Sequence, residues 1–385
     1  MKRVAVITGS RAEYGIMKPL MQSLKDDQGI DFQLIVTGSH LVHVLGRTID
    51  QIKADGFEVS KEVDLRLEGD SQIEIATAMG RAVAGIADAY NELKPDLIIL
   101  LGDRYEIFAA ASAAVPLRIP VAHLHGGEVT HGAIDDAFRH AITKLSHLHF
   151  CSTETYRDRI IQMGEDPECV FCVGAPGLDG IASIPRMSKD EFCAELGIDP
   201  SKRLVALTYH PETLSSLSPE EQMNRLLVVI QKRDDVHFVC TGSNADPGGQ
   251  TMTRLLEEFA KQYPDRAIYR ASLGGKRYFS LLEHAECMIG NSSSGIIESS
   301  SFCLPVVNIG DRQGGRVRAN NVIDVPCEEG AIQDGLEQAL SSAFQSALAG
   351  MVNPYGDGRA TERILETLRS TDFSGLQGKR FRDKV

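Results

Sequence analysis

Leu97-Ile98-Ile99-Leu100-Leu101-Gly102-Asp103-Arg104 and, beyond an Ala-rich helical stretch, Ile119-Pro120-Val121-Ala122-His123-Leu124-His125-Gly126-Gly127-Glu128 decide how this chain is read. The first run is apolar over five consecutive residues, with Pro95 before it and Gly102 after it. It is too short for a buried helix and lacks polar alternation, so it predicts a strand covered on both faces, as in a parallel sheet. Pro120–Leu124 repeats the pattern. In an open α/β sheet, ligands lie beyond the carboxyl ends of the strands. Asp103, Arg104, His125 and Glu128 fall there, and the next loop adds His131, Asp135 and Asp136. Charged loops also form solvated rims, but His and paired Asp beside Gly-Gly point to a reaction site.

The same alternation extends in both directions. Upstream are strands at Val4–Thr8 and Phe32–Thr37, another near Phe57–Val63, and a helix over Gln72–Leu93 with Ala76, Met79, Val83 and Ile86 on its expected buried face. Downstream, a helix from Asp135 to Leu145 carries Phe138, Ile142 and Leu145 at burial spacing, and strands follow at His149–Ser152 and Val170–Val173. Gly, Pro and Asp then recur without period over Gly174–Arg186, which reads as a linker. A second series has strands at Leu204–Thr208, His237–Cys240, Ala267–Arg270, Cys287–Ile289 and Val306–Asn308. The expected architecture is α/β: two Rossmann-like domains facing a cleft, residues 1–175 and 186–358. A helix and tail, 359–385, are expected to pack back on the first domain.

A chain of 385 residues is long for one core. Its net charge of −13 and pI near 5.4 argue against general binding to nucleic acid or to a membrane surface. The apolar start, Val4-Ala5-Val6-Ile7, is too short for a signal sequence, and no stretch approaches the roughly 20 apolar residues of a membrane span. A cytoplasmic protein is expected. Eight cysteines are scattered, and the Cys169/Cys172 pair lies inside a β-like run, so reduced core cysteines are expected rather than a metal or redox pair. No metal-ligand cluster stands at defined spacing, and neither metal nor cofactor is predicted.

The second half carries binding features. Asn291-Ser292-Ser293-Ser294-Gly295-Ile296-Ile297-Glu298 follows a strand and leads into a helix. Free amides, the helix dipole and serine hydroxyls there suit a pyrophosphate, with Glu298 placed for ribose hydroxyls. Ser292 or Ser293 acting as a helix cap is the plainer alternative. The loop is not a Walker A sequence and no GxGxxG follows Val4–Thr8, which disfavours an ATPase and a nicotinamide enzyme. Arg312, Arg316 and Arg318 are spaced for phosphate contact or for a solvated loop. His210, at a strand end, suits a leaving phosphate, acid–base work or a structural role.

Taken together, Gly9-Ser-Arg-Ala-Glu-Tyr14, Gly38-Ser-His-Leu41, Gly102-Asp-Arg104, Gly126-Gly-Glu-Val129, Ile134-Asp-Asp136, Arg139-His-Ala-Ile-Thr-Lys144, Asn291-Ser-Ser293 and Asn353-Pro-Tyr-Gly-Asp-Gly358 resemble the hydrolysing UDP-N-acetylglucosamine 2-epimerases, in family order along nearly the whole chain. These are the bacterial sialic-acid type and the epimerase half of the animal bifunctional enzyme. The resemblance implies the GT-B arrangement. It implies removal of the sugar C2 proton as UDP leaves C1, giving 2-acetamidoglucal, then addition of water to release N-acetylmannosamine. On that resemblance Asp103 matches the catalytic aspartate and Asp135 or Asp136 the second acid. Arg11 matches an arginine near the diphosphate, and His210, Ser292, Ser293, Glu298 and Arg312 match UDP contacts. Arg104 adjoins them at the strand end. Homodimers or homotetramers are also implied, with the UDP-sugar as ligand.

His125 departs from the Glu that some members carry before Gly-Gly. The base is then open, and so is the sugar. A sister group acts on UDP-2,4-diacetamido-2,4,6-trideoxyglucose in legionaminic-type pathways. Non-hydrolysing epimerases are less similar, with Thr-Arg-Pro-Glu where this chain has Ser-Arg-Ala-Glu. A GT-B glycosyltransferase and a nucleotide-sugar binder without turnover remain alternatives. Neither calls for acids at the first-domain strand ends.

Overall fold

The structure is a computed structural model. It describes the chain apart from residues 43–46, 68, 70, 132, 133, 213, 244–247, 384 and 385, and the side chains of 182, 183 and 377. Among the described residues the chain forms two compact units. Unit 1 comprises Met1–Glu128, Asp135–Asp179 and Tyr355–Val385; unit 2 comprises Val129–Ile134 and Gly180–Pro354. The sequence reading set boundaries at 175, 186 and 358. The units instead divide at Asp179/Gly180 and Pro354/Tyr355, residues 359–385 belong to unit 1, and the short loop after Glu128 groups with unit 2.

Unit 1 is built on a seven-stranded parallel sheet. Its strands are β1 (Lys2–Thr8), β2 (Ile30–Thr37), β3 (Lys61–Val63), β4 (Leu97–Leu101), β5 (Val121–Leu124), β6 (Leu148–Cys151) and β7 (Val170–Cys172), in the order β3-β2-β1-β4-β5-β6-β7. The apolar run of β4 is buried on both faces. Leu97, Ile99 and Leu101 enter one core with the helix Arg11–Asp26, while Ile98 and Leu100 enter the other with the helices Gln72–Leu93 and Tyr105–Ala114. Each such side chain stabilises the fold by about 2 kcal/mol. The direction of the chain changes between β1 and β4, so the loops after these strands lie at a switch point where ligands commonly bind.

Unit 2 repeats the plan with β8 (Arg203–Thr208), β9 (Val236–Thr241), β10 (Ala267–Arg270), β11 (Ala285–Gly290), β12 (Val306–Ile309) and β13 (Val322–Val325). The order is β10-β9-β8-β11-β12-β13, again parallel, with the switch between β8 and β11.

The C-terminal helix Ala360–Ser370 packs on unit 1, with Ala360, Ile364 and Leu368 in the same core as β1 and the helix Arg11–Asp26. Asp179 caps its start, accepting from Ala360 N at 2.9 Å and Thr361 N at 2.5 Å. Lys2 caps its end through the carbonyls of Leu368, Arg369 and Thr371 at 2.9, 2.8 and 2.7 Å. Placing cations at a helix C-terminus favours its dipole.

Three expectations are corrected. The helix Gln72–Leu93 buries Ala78, Ala82, Ile86, Ala89 and Tyr90, while Ala76 and Val83 are exposed. Small alanines let it approach the Ala-rich helix Tyr105–Ala114 closely, so the buried stripe follows alanines rather than the larger residues. The strand expected from Phe57 is confined to Lys61–Val63, which pair with β2 at Ile35–Thr37. The second sheet also carries β13, whose Val-Ile-Asp-Val sequence is half-exposed at an edge and gives little apolar signal. Among the described residues no helix is long and apolar enough to cross a membrane.

Candidate functional site

In unit 1 the two strand tips converge on one arginine. Gly102 (φ +82°) turns the chain off β4, and Asp103 follows. Arg139, 2% exposed on the helix Asp135–Leu145, donates from Nη2 to Asp103 Oδ2. Its Nη1 donates to the His125 carbonyl at 3.1 Å and lies 3.7 Å from Glu128 Oε2. The fully buried Glu128 accepts from Ser152 Oγ at 3.0 Å through Oε1. That same oxygen lies 2.5 Å from His125 Nδ1. A buried guanidinium thus faces two carboxylates, but Asp103 is partly exposed to solvent and Glu128 has His125 as a second partner, so neither is left as a costly unpaired charge.

The Gly-Gly turn makes this possible. Gly127 (φ +75°) lies so close to Tyr156 that a Cβ there would meet the Tyr156 carbonyl oxygen at 2.5 Å. The tight turn brings residues 125 and 128 side by side. His125 itself has φ +62°, a conformation that a residue bearing a Cβ rarely adopts. It is 8% exposed, and its buried Nε2 has no hydrogen-bond partner among the described residues. His123, by contrast, is a strut. Burial drives its pKa down to about 3, and Nε2 bonds the Gly102 carbonyl at 2.8 Å, tying β5 to the end of β4.

Helical phase separates the adjacent acids. Asp135 lies one turn before Arg139, on that residue's side of the helix. Asp136 pairs with His140 at 3.4 Å. Arg104 turns toward Glu106, donating from Nε at 2.9 Å. Arg11, the first residue of its helix, is exposed.

In unit 2 the loops after β8 and β11 meet at Asn291. Its Oδ1 accepts from His210 N at 2.8 Å and its Nδ2 donates to His210 O at 2.9 Å. Gln313 Nε2 donates to the Asn291 carbonyl at 2.8 Å. His210 is buried, with Nδ1 3.2 Å from Ser243 Oγ. Gly290 has φ +134°, and a Cβ there would sit 1.9 Å from the Thr208 carbonyl oxygen.

The helix after the serines is the four-residue Ser294–Ile297, followed by a 3₁₀ turn at Ser299–Phe302 with Glu298 at the junction. This corrects the expected helix-dipole site: one turn of helix supplies little dipole. Ser292 Oγ accepts from Ser294 N at 3.3 Å, a local turn bond, and Ser293 makes no side-chain cap bond. Arg312 is partly exposed in the loop after β12, which Glu212 anchors by accepting from Asp311 N at 2.9 Å. Arg318 is a brace: it bonds the carbonyls of Gln313 and Arg316 and pairs with Asp324 at 2.7 Å.

Within unit 1, then, Asp103 and His125 come together, and Arg104 faces its own cluster. Within unit 2, His210 joins the Asn291 loop. The sequence reading placed Glu128 at the strand tips without a specific role, carried Arg139 and Asn291 only inside quoted motifs, and did not single out Gln313. An arginine at a burial position between Phe138 and Ile142 was the available signal for Arg139. Among the described residues no group of three or more His, Cys, Asp or Glu is disposed to hold a metal ion, and all eight cysteines are free.

Residues 22–369 match the family model described as UDP-N-acetylglucosamine 2-epimerase. The chain is 38% identical over 370 residues to the UDP-N,N'-diacetylbacillosamine 2-epimerase (hydrolyzing) of Legionella pneumophila, covering 96% of each chain. It is 38% identical over 384 residues to the polysialic acid biosynthesis protein P7 of Escherichia coli, covering 100% of this chain and 97% of the other. The crystal structure of UDP-GlcNAc 2-epimerase from Neisseria meningitidis bound to UDP-GlcNAc has the same two-domain α/β fold. The TM-score is 0.83 at 20% identity, over 96% of this chain and 100% of that one.

Proposed function

Because this chain belongs to the UDP-N-acetylglucosamine 2-epimerase family, we propose that it is a hydrolysing 2-epimerase that converts UDP-N-acetylglucosamine and water to N-acetylmannosamine and UDP. The observation that carries this reading is the constellation at the tips of β4 and β5 in which buried Arg139, Glu128 and His125 adjoin the partly exposed Asp103.

The chemistry requires two proton transfers at C2. In the first, a base takes the C2 proton as the C1–O bond to UDP breaks, leaving 2-acetamidoglucal. In the second, water adds its oxygen at C1 while a proton arrives at C2 from the opposite face, inverting that centre. Two groups on opposite sides of the sugar therefore suit the reaction better than one. His125 is one: Glu128 engages Nδ1, so Nε2 is the atom that exchanges a proton. Asp103, aimed by Arg139, is the other, and the family resemblance gives Asp135 or Asp136 the part of a second acid. Leaving UDP needs compensation of the diphosphate charge, the role we give to Arg11, Arg104 and Arg312. His210, Ser292, Ser293 and Glu298 complete the nucleotide contacts.

A second reading, UDP-2,4-diacetamido-2,4,6-trideoxyglucose as substrate, is favoured by the similarity to the UDP-N,N'-diacetylbacillosamine 2-epimerase of Legionella and by His125 standing where some members have Glu. Incubation with UDP-GlcNAc in D2O, followed by proton NMR, tests the first reading. It predicts free N-acetylmannosamine carrying deuterium at C2, together with UDP. Retained C2 hydrogen or a UDP-linked product sinks it. Inert UDP-GlcNAc with turnover of the 2,4-diacetamido sugar decides for the second.

A further inference from the structure

Beneath the loop after β1 lies a second pair of carboxylates that the reaction above does not use. Glu13, in the first turn of the helix Arg11–Asp26, and Glu106, in the first turn of the helix Tyr105–Ala114, are 6% and 0% exposed. Both face Arg104: its Nε lies 2.9 Å from Glu106 Oε1 and 3.8 Å from Glu13 Oε1. Glu13 Oε2 accepts from Gly9 N at 2.8 Å. Glu13 Oε1 and Glu106 Oε2 are buried without a hydrogen-bond partner among the described residues. Space is tight: a Cβ on Gly9 would meet Glu106 Cγ at 2.3 Å, and one on Gly38 would meet Gly9 O at 2.6 Å and Glu106 Oε1 at 3.1 Å.

Two buried carboxylates within 4 Å of one nitrogen cannot both stay ionised without a second compensating charge. We propose that Glu13 and Glu106 hold one proton between them, and that this proton sets the affinity of Arg104 for the diphosphate of the UDP-sugar. The second half of the proposal rests on the function assigned above. With the proton in place, Arg104 and one carboxylate cancel, and its guanidinium, 20% exposed, meets an anion without opposition. With the proton gone the cluster carries a net negative charge beside the diphosphate and repels it. Burial, with the Glu106 charge beside it, pushes the Glu13 pKa up to about 8, so the proton is present at neutral pH and lost just above it.

The neighbouring titratable groups do not change charge in that window. Tyr105, beside the pair, is held well above its usual range by burial. His40, bonded to Thr8 at the end of β1, is held down to about 4 by burial. An arginine guanidinium is charged throughout this range. Glu13 and Glu106 are positioning residues in this scheme; neither is placed against the sugar.

The test has two arms, both on the full chain. In the first, infrared spectra of ligand-free protein are compared for wild type, Glu13→Gln and Glu106→Gln. The wild type should show a protonated-carboxyl band at pH 7 that titrates out above pH ~8 and is missing in Glu13→Gln. Absence of that band at pH 7 overturns the shared proton. In the second, UDP binding is measured by calorimetry from pH 7 to 9. The wild-type Kd should weaken about tenfold, with proton uptake on binding at the alkaline end. Glu13→Gln and Glu106→Gln should each bind with a Kd that is flat across the range. The two variants guard against either one failing to fold. A flat wild-type profile, or an unchanged slope in both variants, overturns the coupling. No UDP binding at any pH with the band intact counts against the coupling and against the nucleotide reading, while the shared proton stands.

Discussion

Asn291 grips His210 by its backbone, accepting from the His210 N–H at 2.8 Å and donating to the His210 carbonyl at 2.9 Å. The amide side chain thus mimics a strand neighbour at the point where β8 has ended and pairing has stopped. Two loops on either side of the switch point become one surface. Gln313 extends the arrangement by bonding the Asn291 carbonyl, so the loop after β12 is tied to the same point.

Replacing Asn291 with Ala removes both bonds. At about 1 kcal/mol each, kcat/KM should fall roughly thirtyfold, with weaker UDP binding. Asn291→Asp keeps the acceptor, loses the donor and should fall between the two. Steady-state kinetics with calorimetric UDP titration read this. Wild-type kinetics in Asn291→Ala would show that the clamp does not serve the site.

Arg139→Met should damage the protein twice over. It leaves Asp103 and Glu128 without their buried cation, which costs about 3–5 kcal/mol of stability. It also frees the Asp103 carboxylate to rotate away from the sugar. Urea unfolding should show the lower midpoint, and turnover should drop at least a hundredfold in protein that remains folded. Equal stability of the variant and wild type would mean that the pairing is idle.

Glu128→Gln separates orientation from charge. The amide can still meet His125 Nδ1 but can no longer balance a protonated imidazole. The expected result is a loss in kcat of about a hundredfold with KM little changed, the signature of an interaction made in the transition state. C2 deuterium exchange should slow in parallel. A rise in KM at constant kcat would instead place Glu128 in substrate binding.

Glu165 makes acid stability a readout of the other end of the helix that carries Arg139. Burial opposes its ionisation, but bonds from His149 at 2.9 Å, Lys144 at 2.6 Å and Lys379 at 2.7 Å outweigh that and hold its pKa at about 2. The folded value lies below the ordinary 4.5, so the stabilisation is present above pH 4.5 and is lost as pH falls toward 2. Glu165→Gln should therefore be less stable than wild type at pH 7, with the gap narrowing steadily as pH falls from 4.5. A gap that stays constant with pH would contradict this account.

Much of the architecture is legible in the sequence. Apolar runs of four to eight residues bounded by Gly and Pro have few alternatives to buried parallel strands, and β1, β2, β4, β5 and β8–β12 lie where those runs fall. The buried stripe of Gln72–Leu93 is made of alanines, which a scan for large apolar residues passes over. The edge strand β13 has no apolar run to announce it. The helix expected after Asn291-Ser-Ser293 stops after one turn, because the chain tightens into a 3₁₀ turn at Ser299.

The sequence by itself determined the strand tips, and with them that Asp103, His125 and Glu128 share one edge of a sheet. Strand periodicity and glycine turns are local properties, encoded within a few residues. Only the tertiary structure decided the partnerships. Arg139 stands 36 residues from Asp103, and Asn291 stands 81 from His210. Glu13 meets Glu106 through Arg104 because β1 and β4 are neighbours in the sheet though 88 residues separate Lys2–Thr8 from Leu97. Charge compensation depends on distance and burial in space, and neither is written in the order of the chain.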